Sequence, residues 1–527
     1  MSSEPVNRLL PTAAVNPGMR TSQYEAKYLE ARGFIKMDFL GLRNLTMIDD
    51  VARMIQKRNP KFQILKIPLN DPHTYAVFQR ADTLGIFQFE SNGMKNLLKK
   101  MKPSSYNDIV AALALYRPAS AGNIDQYLEA RAHPERIHYL LPQLEPVLKD
   151  TYGVMIYQEQ TMMTARICAG FSLGKADLLR KAISKKDPRT MAGLKEDFVL
   201  GCRKNRIKEE TITELWDLIE KFGGYGFNKS HAVAYALLAY QTAWLKANAP
   251  LDFYCSLLDS VAGDTGKTAQ YIDECRRRGI SVKYPSVVFS GVHYSCEDGS
   301  IRIALSAIKG MGTHQAQQIV EEREKRPFSG YFDFVARMEL ARMPRSVLES
   351  LIDAGALDDF RETRTTMKSA LEEAVNYADL VQVERNGQLT LDLNLISQPV
   401  LEPKEDQPEA LVEAERNALG FTLGPHPIIE MRRRLKINRP SLIALQMSPG
   451  YGYGFGFVSS VRLHRTKRGQ MMAYLTLNDE TADFDLTVMP RLYSQYASSI
   501  AKGVYLLFEG TVKDDGSCIA ERLEVVK

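Results

Sequence analysis

No apolar run in the sequence approaches the roughly 20 residues that cross a bilayer, and residues 1–20 carry no apolar stretch of the kind a secretory leader needs. Neither membrane insertion nor secretion is expected. Cysteine is sparse, and Cys168, Cys202, Cys255, Cys275, Cys296 and Cys518 form no C-x-x-C pair. That argues against a disulfide framework or a zinc site and for reduced thiols in a cytoplasmic protein. Excess charge is also lacking. The 68 Lys and Arg against 63 Asp and Glu leave a formal +5 over 527 residues, so a case for nucleic acid rests on local patches. No repeat of 20–50 residues is visible.

What remains is an ordinary globular composition, 45% hydrophobic and 25% charged, at a length that fits roughly three or four domains. The opening Met-Ser-Ser-Glu-Pro-Val-Asn-Arg-Leu-Leu-Pro11 carries no evident first element and reads as the start of a fragment. A strand is expected at 34–40 and a helix at 44–57. Residues 65–285 read as mainly helical, with Ile212, Leu215, Trp216 and Ile219 on one stripe. Short strands near Ile301 and compact helices follow to about 380. Pro-, Glu- and Gln-rich residues 395–415 read as a linker. From 452 on, Phe484, Leu486 and Val488 alternate with Asp483, Asp485 and Thr487, which predicts a small all-β barrel.

The most informative segment is Gly223-Gly-Tyr-Gly-Phe-Asn-Lys-Ser-His231, running into an apolar helix with Val233, Tyr235, Leu237, Leu238, Tyr240 and Trp244. Glycines permit a tight turn, and Lys229, Ser230 and His231 would stand where free N–H groups favour an anion. Phosphate binding and an ordinary helix start both fit. Asp38, inside the apolar Phe34–Leu42 run, is either a solvent-facing edge residue or a ligand for a hard cation. Lys181 and Lys185 share a helix face beside Lys175 and Arg180, either as a solvated face or for a triphosphate or nucleic-acid backbone. Tyr116-Arg117-Pro118 and Tyr157-Gln-Glu-Gln160 could add stacking.

Ala307-Ile-Lys309-Gly310-Met-Gly312, leading into a helix with Ala316 and Ile319, has the pattern of a helix-hairpin-helix, whose turn amides grip phosphates. A plain helical packing unit is the alternative. Gln388-Leu-Thr-Leu391-Asp-Leu393 reads as an exposed docking peptide or as a short edge strand. The spacing Asp483-Phe-Asp485 imitates a metal-binding pair, but both carboxylates fall on the polar face of the expected strand and read as solvated.

Several motifs occur in one order: Lys36-Met-Asp-Phe-Leu-Gly-Leu-Arg43, Gly85-Ile-Phe-Gln-Phe-Glu-Ser-Asn-Gly-Met94, Tyr116-Arg-Pro, Tyr157-Gln-Glu-Gln160, Leu178-Leu-Arg-Lys-Ala-Ile-Ser-Lys-Lys186 and Gly224-Tyr-Gly-Phe-Asn-Lys-Ser-His-Ala232. From about residue 20 onward the chain resembles the C-terminal half of the C-family replicative polymerases, the bacterial DNA polymerase III alpha subunits. The resemblance implies a multidomain α+β chain. Residues 1–62 would be the end of a nucleotidyltransferase-like palm and 63–285 large helical fingers. Residues 286–440 would be a clamp-binding domain with a helix-hairpin-helix, and 441–527 an OB-type β-barrel.

It also implies roles. Asp38 would be catalytic and a metal ligand, one of three palm aspartates holding two Mg²⁺ ions. Arg117, Tyr157, Arg180, Lys181, Lys185, Lys186, Lys229, Ser230 and His231 would bind the nucleotide. Lys309, Gly310 and Gly312, with Arg465, Lys467, Arg468 and Tyr474, would meet DNA, while Gln388, Leu391 and Leu393 would dock on a sliding clamp. Primer–template DNA, deoxynucleoside triphosphates, the clamp and other replisome subunits are the expected partners.

The family's other two palm aspartates and its metallophosphatase-like domain have no counterpart in these residues, so the chain reads as truncated and is expected not to polymerise alone. The alternative is a catalytically inactive DNA- and clamp-binding fragment. A helix-hairpin-helix plus OB repair factor would leave the helical region unexplained.

Overall fold

A computed structural model of the chain describes residues 4–25, 28–29, 32–34, 41–117, 121–185, 187–223, 226–385, 388–424, 427–466, 469–513 and 515–526. They fall into two units, Met1–Thr46 and Met47–Lys527. In the first, strand β1 (Thr12–Asn16) pairs antiparallel with β2 (Met19–Ser22). The turn between them uses Gly18 at φ +81°, a left-handed conformation that glycine adopts without steric penalty. Most of the strand expected at 34–40 lies outside the described residues, Asp38 included.

Helix α1 (Arg43–Arg58) matches the expectation for 44–57 and buries Met47, Ile48, Val51, Ala52 and Ile55, a helical stripe. Helix α2 (Pro72–Gln79) starts on Asp71, whose carboxylate accepts the Thr74 amide at 3.0 Å. A Ser105/Asp108 capping box opens α3 (Tyr106–Leu115).

Helices α4 (Gln158–Ala169), α5 (Leu173–Lys185), α6 (Pro188–Lys204) and α7 (Glu209–Gly223) enclose a core of their own around Leu179, Phe198, Leu215 and Trp216. The expected Ile212–Ile219 stripe is buried there. Helices α4 and α6 meet so closely that a Cβ at Gly201 would strike the Ala169 carbonyl.

Helix α8 (Lys229–Asn248) packs on α2, α3 and α9 (Pro250–Ser260). The sequence pattern predicts a buried helix: Tyr240 and Leu245 are fully enclosed together with the row Ala232, Ala236, Ala239 and Ala243, whereas Tyr235, Leu237, Leu238 and Trp244 are half-buried and Val233 is 38% exposed. Small side chains at this spacing let neighbouring helices approach, and Tyr240 fills the contact with Tyr75 of α2 and Tyr106 of α3. Near its end Lys246 is fully buried. Its ammonium donates to the Leu84 carbonyl and to Glu274 of α10 (Thr265–Arg277), both at 2.7 Å, which satisfies a charge otherwise expensive to bury.

Strands β3 (Val282–Lys283), β4 (Ser295–Glu297) and β5 (Ser300–Arg302) form a small sheet in the order β3-β5-β4. Helices α11 (Thr313–Lys325), α12 (Tyr331–Leu340), α13 (Arg364–Ser369) and α14 (Leu371–Leu380) follow, then the hairpin of β6 (Gln382–Arg385) and β7 (Gln388–Leu391).

The region expected to be a linker is tied down instead. Asp406 accepts the amides of Arg364 and Thr365 at the start of α13, and the Lys404 amide donates to Thr366 Oγ1 at 2.8 Å. Pro408 then begins helix α15 (Pro408–Leu419). The acidic, proline-rich composition that resembles a linker here supplies a cap and a helix start.

The last five strands, β8 (Gly450–Arg465), β9 (Met471–Asn478), β10 (Asp483–Val488), β11 (Tyr505–Val512) and β12 (Cys518–Val526), close into a barrel in the order β10-β12-β11-β8-β9. The alternation in β10 holds: Phe484, Leu486 and Val488 are buried while Asp483 and Asp485 are exposed. Gly452, Gly454 and Gly456 share the other face of β8 from its tyrosines. A Cβ there would meet Leu445, the Phe508 ring and Leu477, so bare backbone makes room for the barrel's filling.

Candidate nucleotide and nucleic-acid site

Segments far apart in sequence meet at the start of α8. Phe227 forms a parallel bridge with Tyr157: the Gln158 amide donates to the Phe227 carbonyl and the Phe227 amide to the Ile156 carbonyl, both at 2.9 Å. A Cβ at Gly226 would press on Gln158 at 3.1–3.3 Å, so glycine permits this approach. The Arg117 guanidinium lies over the Phe227 ring, 4.1 Å from its centroid. From Phe227 a row of rings continues through His231 (5.4 Å), Tyr235 (a further 4.0 Å) and Phe87 (a further 5.1 Å). Beside it Lys229 stands 5.4 Å above the Tyr157 ring and 3.8 Å from Asp150. Tyr157 itself is buried, which pushes its phenol well above the usual range. Ser230 is exposed in the first turn of α8.

Two amides of that first turn, those of Lys229 and His231, are already engaged, where the glycine motif predicts free N–H groups. Both oxygens of Glu159 accept the Lys229 N–H, at 3.0 and 2.9 Å, and Asn228 Oδ1 accepts that of His231 at 2.8 Å. A carboxylate already stands where an anion would sit. The capacity to hold an anion therefore rests with the Arg117 and Lys229 side chains. Each lies over a ring that supports it, and Lys229 also pairs with Asp150.

Arg180 and Lys181 are held differently. Both pair with Asp177 on their own helix α5, Arg180 Nε at 2.9 Å and Lys181 at 2.9 Å, and these contacts, Lys181's first, hold the Asp177 carboxyl below its usual range. For Lys185 the backbone alone is described, and Lys186 lies outside the described residues.

At the hairpin, Lys309 and Gly310 are exposed. Gly310 takes φ +83°, and Gly312 caps α11 with its amide donated to Gln315 at 3.1 Å. The Lys309 amide is engaged by the Ala418 carbonyl of α15 at 2.8 Å, leaving its ammonium and the following turn to face solvent.

Of the peptide at 388–393, residues Gln388–Leu391 form strand β7 of a two-stranded hairpin. Leu391 and Leu393 pack partly buried on the core, Tyr377 donates to the Leu393 carbonyl, and Leu389 is the exposed apolar side chain. Only the backbone of Gln388 is described, paired with Arg385.

On the barrel, Arg465 bonds the Gly469 carbonyl at 3.1 Å, while Lys467 and Arg468 lie outside the described residues. Tyr474 is 37% exposed under Arg462, 5.1 Å away. Sequence reasoning overlooked a second aromatic patch, Tyr451 and Tyr453 with Arg439 at 4.9 Å from the Tyr453 ring. The Tyr-Gly-Tyr-Gly alternation was the available signal. Phe227 and Glu159 were overlooked as well, since each lay inside a motif read for its neighbours.

Two family models match the chain: the bacterial DNA polymerase III alpha subunit finger domain over residues 44–206 and the helix-hairpin-helix motif over 279–367. The chain is 39% identical over 515 residues to the DNA polymerase III subunit alpha of Bacillus subtilis (strain 168), covering 97% of this chain and 46% of that protein. Identity to the same subunit of Halalkalibacterium halodurans is 36% over 518 residues (97% and 46%), and to that of Staphylococcus aureus (strain COL) 36% over 515 (97% and 48%). The chain belongs to the bacterial DNA polymerase III alpha-subunit family.

It spans slightly less than half the length of the curated relatives it matches. The helix-hairpin-helix match includes Lys309, Gly310 and Gly312. For the divalent metal such a polymerase uses, the described residues offer no fitting donor set: no group of three or more His, Cys, Asp or Glu among them is placed to hold a metal ion, and Asp38 is not one of them. Among the described residues, no helix is long and apolar enough to cross a membrane.

Proposed function

We propose that these residues are the part of a cytoplasmic replicative DNA polymerase that holds the incoming deoxynucleoside triphosphate and the primer–template. The observation that carries this reading is the convergence of residues 87, 117, 157 and 227–235 into a row of rings with two cations held over its faces. Cations placed this way suit phosphates, and the exposed His231 ring with the half-buried Phe227 and Tyr235 suits a base. Arg117 and Lys229 contact the triphosphate, Tyr157, Ser230 and His231 line its pocket, and Arg180, Lys181, Lys185 and Lys186 extend the positive surface.

In this reading residues 1–62 complete a palm, 63–285 are fingers, 286–440 bind the clamp and duplex DNA, and 441–527 are an OB-type barrel for single-stranded template. The barrel's Arg465, Lys467, Arg468 and Tyr474 meet that strand. The β6–β7 hairpin with Gln388, Leu391 and Leu393 is the clamp's place, its exposed Leu389 the first contact. Other replisome subunits join the same assembly. Asp38 is the residue assigned to Mg²⁺, and further carboxylates must join it before two ions can be held.

Primer extension with Mg²⁺ and all four deoxynucleotides, run beside a gel shift on primed template, tests the proposal. Binding without extension is expected from these 527 residues by themselves, the outcome that also fits a DNA- and clamp-binding fragment. Extension abolished by Asp38→Ala would mean that the carboxylate set is complete without additions. Failure to bind primed template would overturn the reading.

A further inference from the structure

Cys255 and Cys296, 41 positions apart, bring their sulfurs to 3.1 Å, about 1 Å beyond a disulfide bond. Cys255 sits on α9 and is fully buried, whereas Cys296 sits on β4 and is open to solvent. The strand places it there: Cys296 faces Ile301 in the β4–β5 ladder, and β4 and β5 both pack on α9. Next to the pair Arg58 grips Asp252 through two hydrogen bonds of 2.8 and 2.5 Å, and Asp252 Oδ1 lies 4.0 Å from the Cys296 sulfur. The other cysteines, Cys168, Cys202, Cys275 and Cys518, are all buried.

We infer that Cys296 and Cys255 are a peroxide-oxidisable pair, Cys296 the attacking thiol and Cys255 the resolving one. The division of labour follows from exposure: an oxidant reaches Cys296 first, and Cys255 stands directly behind it. The electrostatics agree. Donation from the Cys255 S–H draws the Cys296 thiol below the ordinary cysteine range against the opposing effects of burial and Asp252, with a smaller contribution from Arg58, and the same hydrogen bond with burial holds Cys255 above it.

In the first step the Cys296 thiolate attacks one peroxide oxygen and the O–O bond breaks. The departing hydroxide takes a proton to leave as water, and Cys296 becomes a sulfenic acid. The Cys255 sulfur then attacks the Cys296 sulfur. The S–O bond breaks, hydroxide leaves with the Cys255 proton as a second water, and the disulfide forms. Two thiols lose two electrons, and one peroxide becomes two waters. The bond links α9 to β4, and so the helical region to the start of the hairpin-bearing one.

The experiment treats the reduced, purified chain with hydrogen peroxide, alkylates the remaining thiols and digests with trypsin. The expected product is peptide 247–267 joined to peptide 284–302, with two of the six thiols lost and both restored by a reductant. Cys296→Ser, a change at an exposed site, should abolish the cross-link and leave the Cys255 thiol free for alkylation after unfolding. Mapping on the unaltered chain needs no variant to fold. Oxidation of Cys296 to sulfinic acid without the cross-link, a link through other cysteines, or six intact thiols would each overturn the inference.

Discussion

Two pairs of basic residues, both assigned to phosphates by resemblance, are held by different means. Arg180 and Lys181 lie on the outside of α5, each turned to Asp177 within the same helix. Arg117 and Lys229 come from segments more than a hundred positions apart and rest on the faces of Phe227 and Tyr157. A local ion pair engages a cation's donors weakly and exposes them to screening. A ring beneath a cation leaves the guanidinium or ammonium edge available. Lys229 also meets Asp150 at 3.8 Å, so of the four cations Arg117, over its ring and in no ion pair among the described residues, is the best prepared for a polyanion.

The supports differ too, and this yields the largest expected effect. The α4–α7 core depends on the close approach at Gly201, where the obstructing atoms belong to the Ala169 backbone and cannot swing away. Gly201→Ala should destabilise that core by about 3 kcal/mol. The two tryptophans make this measurable region by region: Trp216 lies inside this core, and Trp244 stacks on Phe62 at 5.7 Å on α8. Urea unfolding followed in a Trp244→Phe background should show the loss at Trp216. An unchanged midpoint would mean that the helices separate freely.

Phe227→Ala acts on the other support. Loss of a half-buried ring should lower stability by about 2 kcal/mol. Removing the surface beneath Arg117 should weaken triphosphate binding about fivefold, the equivalent of about 1 kcal/mol for a cation–ring contact. Titration of a fluorescent deoxynucleotide reads this directly, and equal affinity in the variant would remove the distinction drawn between the two pairs. The smallest effect is expected from Asp177→Asn. Stability should not change measurably, and DNA binding should strengthen modestly at low salt, with the gain vanishing at high salt. A lowered unfolding midpoint would show that the α5 ion pairs are structural.

Where residues interact with near neighbours in sequence, the pattern was readable. The Ile212–Ile219 stripe, the α1 helix and the alternation of β10 all follow from a single periodicity meeting one buried side. The misreadings share another cause. Residues 395–415 have the composition of a linker, yet Asp406 caps α13 because that helix's open amides lie next to it in space. The large apolar residues of α8 do not share one fate: Tyr240 is buried beside the alanine row while Val233 is exposed, because which flank of an all-round apolar helix is covered depends on where its neighbours pack.

By itself the sequence determined the family, the helix-hairpin-helix match and the polar face of β10, since each is carried by spacing along one segment. Tertiary structure alone decided that Glu159 occupies the mouth of α8, that Phe227 supports Arg117, that Lys246 is buried against Glu274 and that Cys255 meets Cys296. Each of these pairs is separated by 28 to 110 positions, and chain spacing carries no information about which distant groups the packing of helices will bring within a few ångströms.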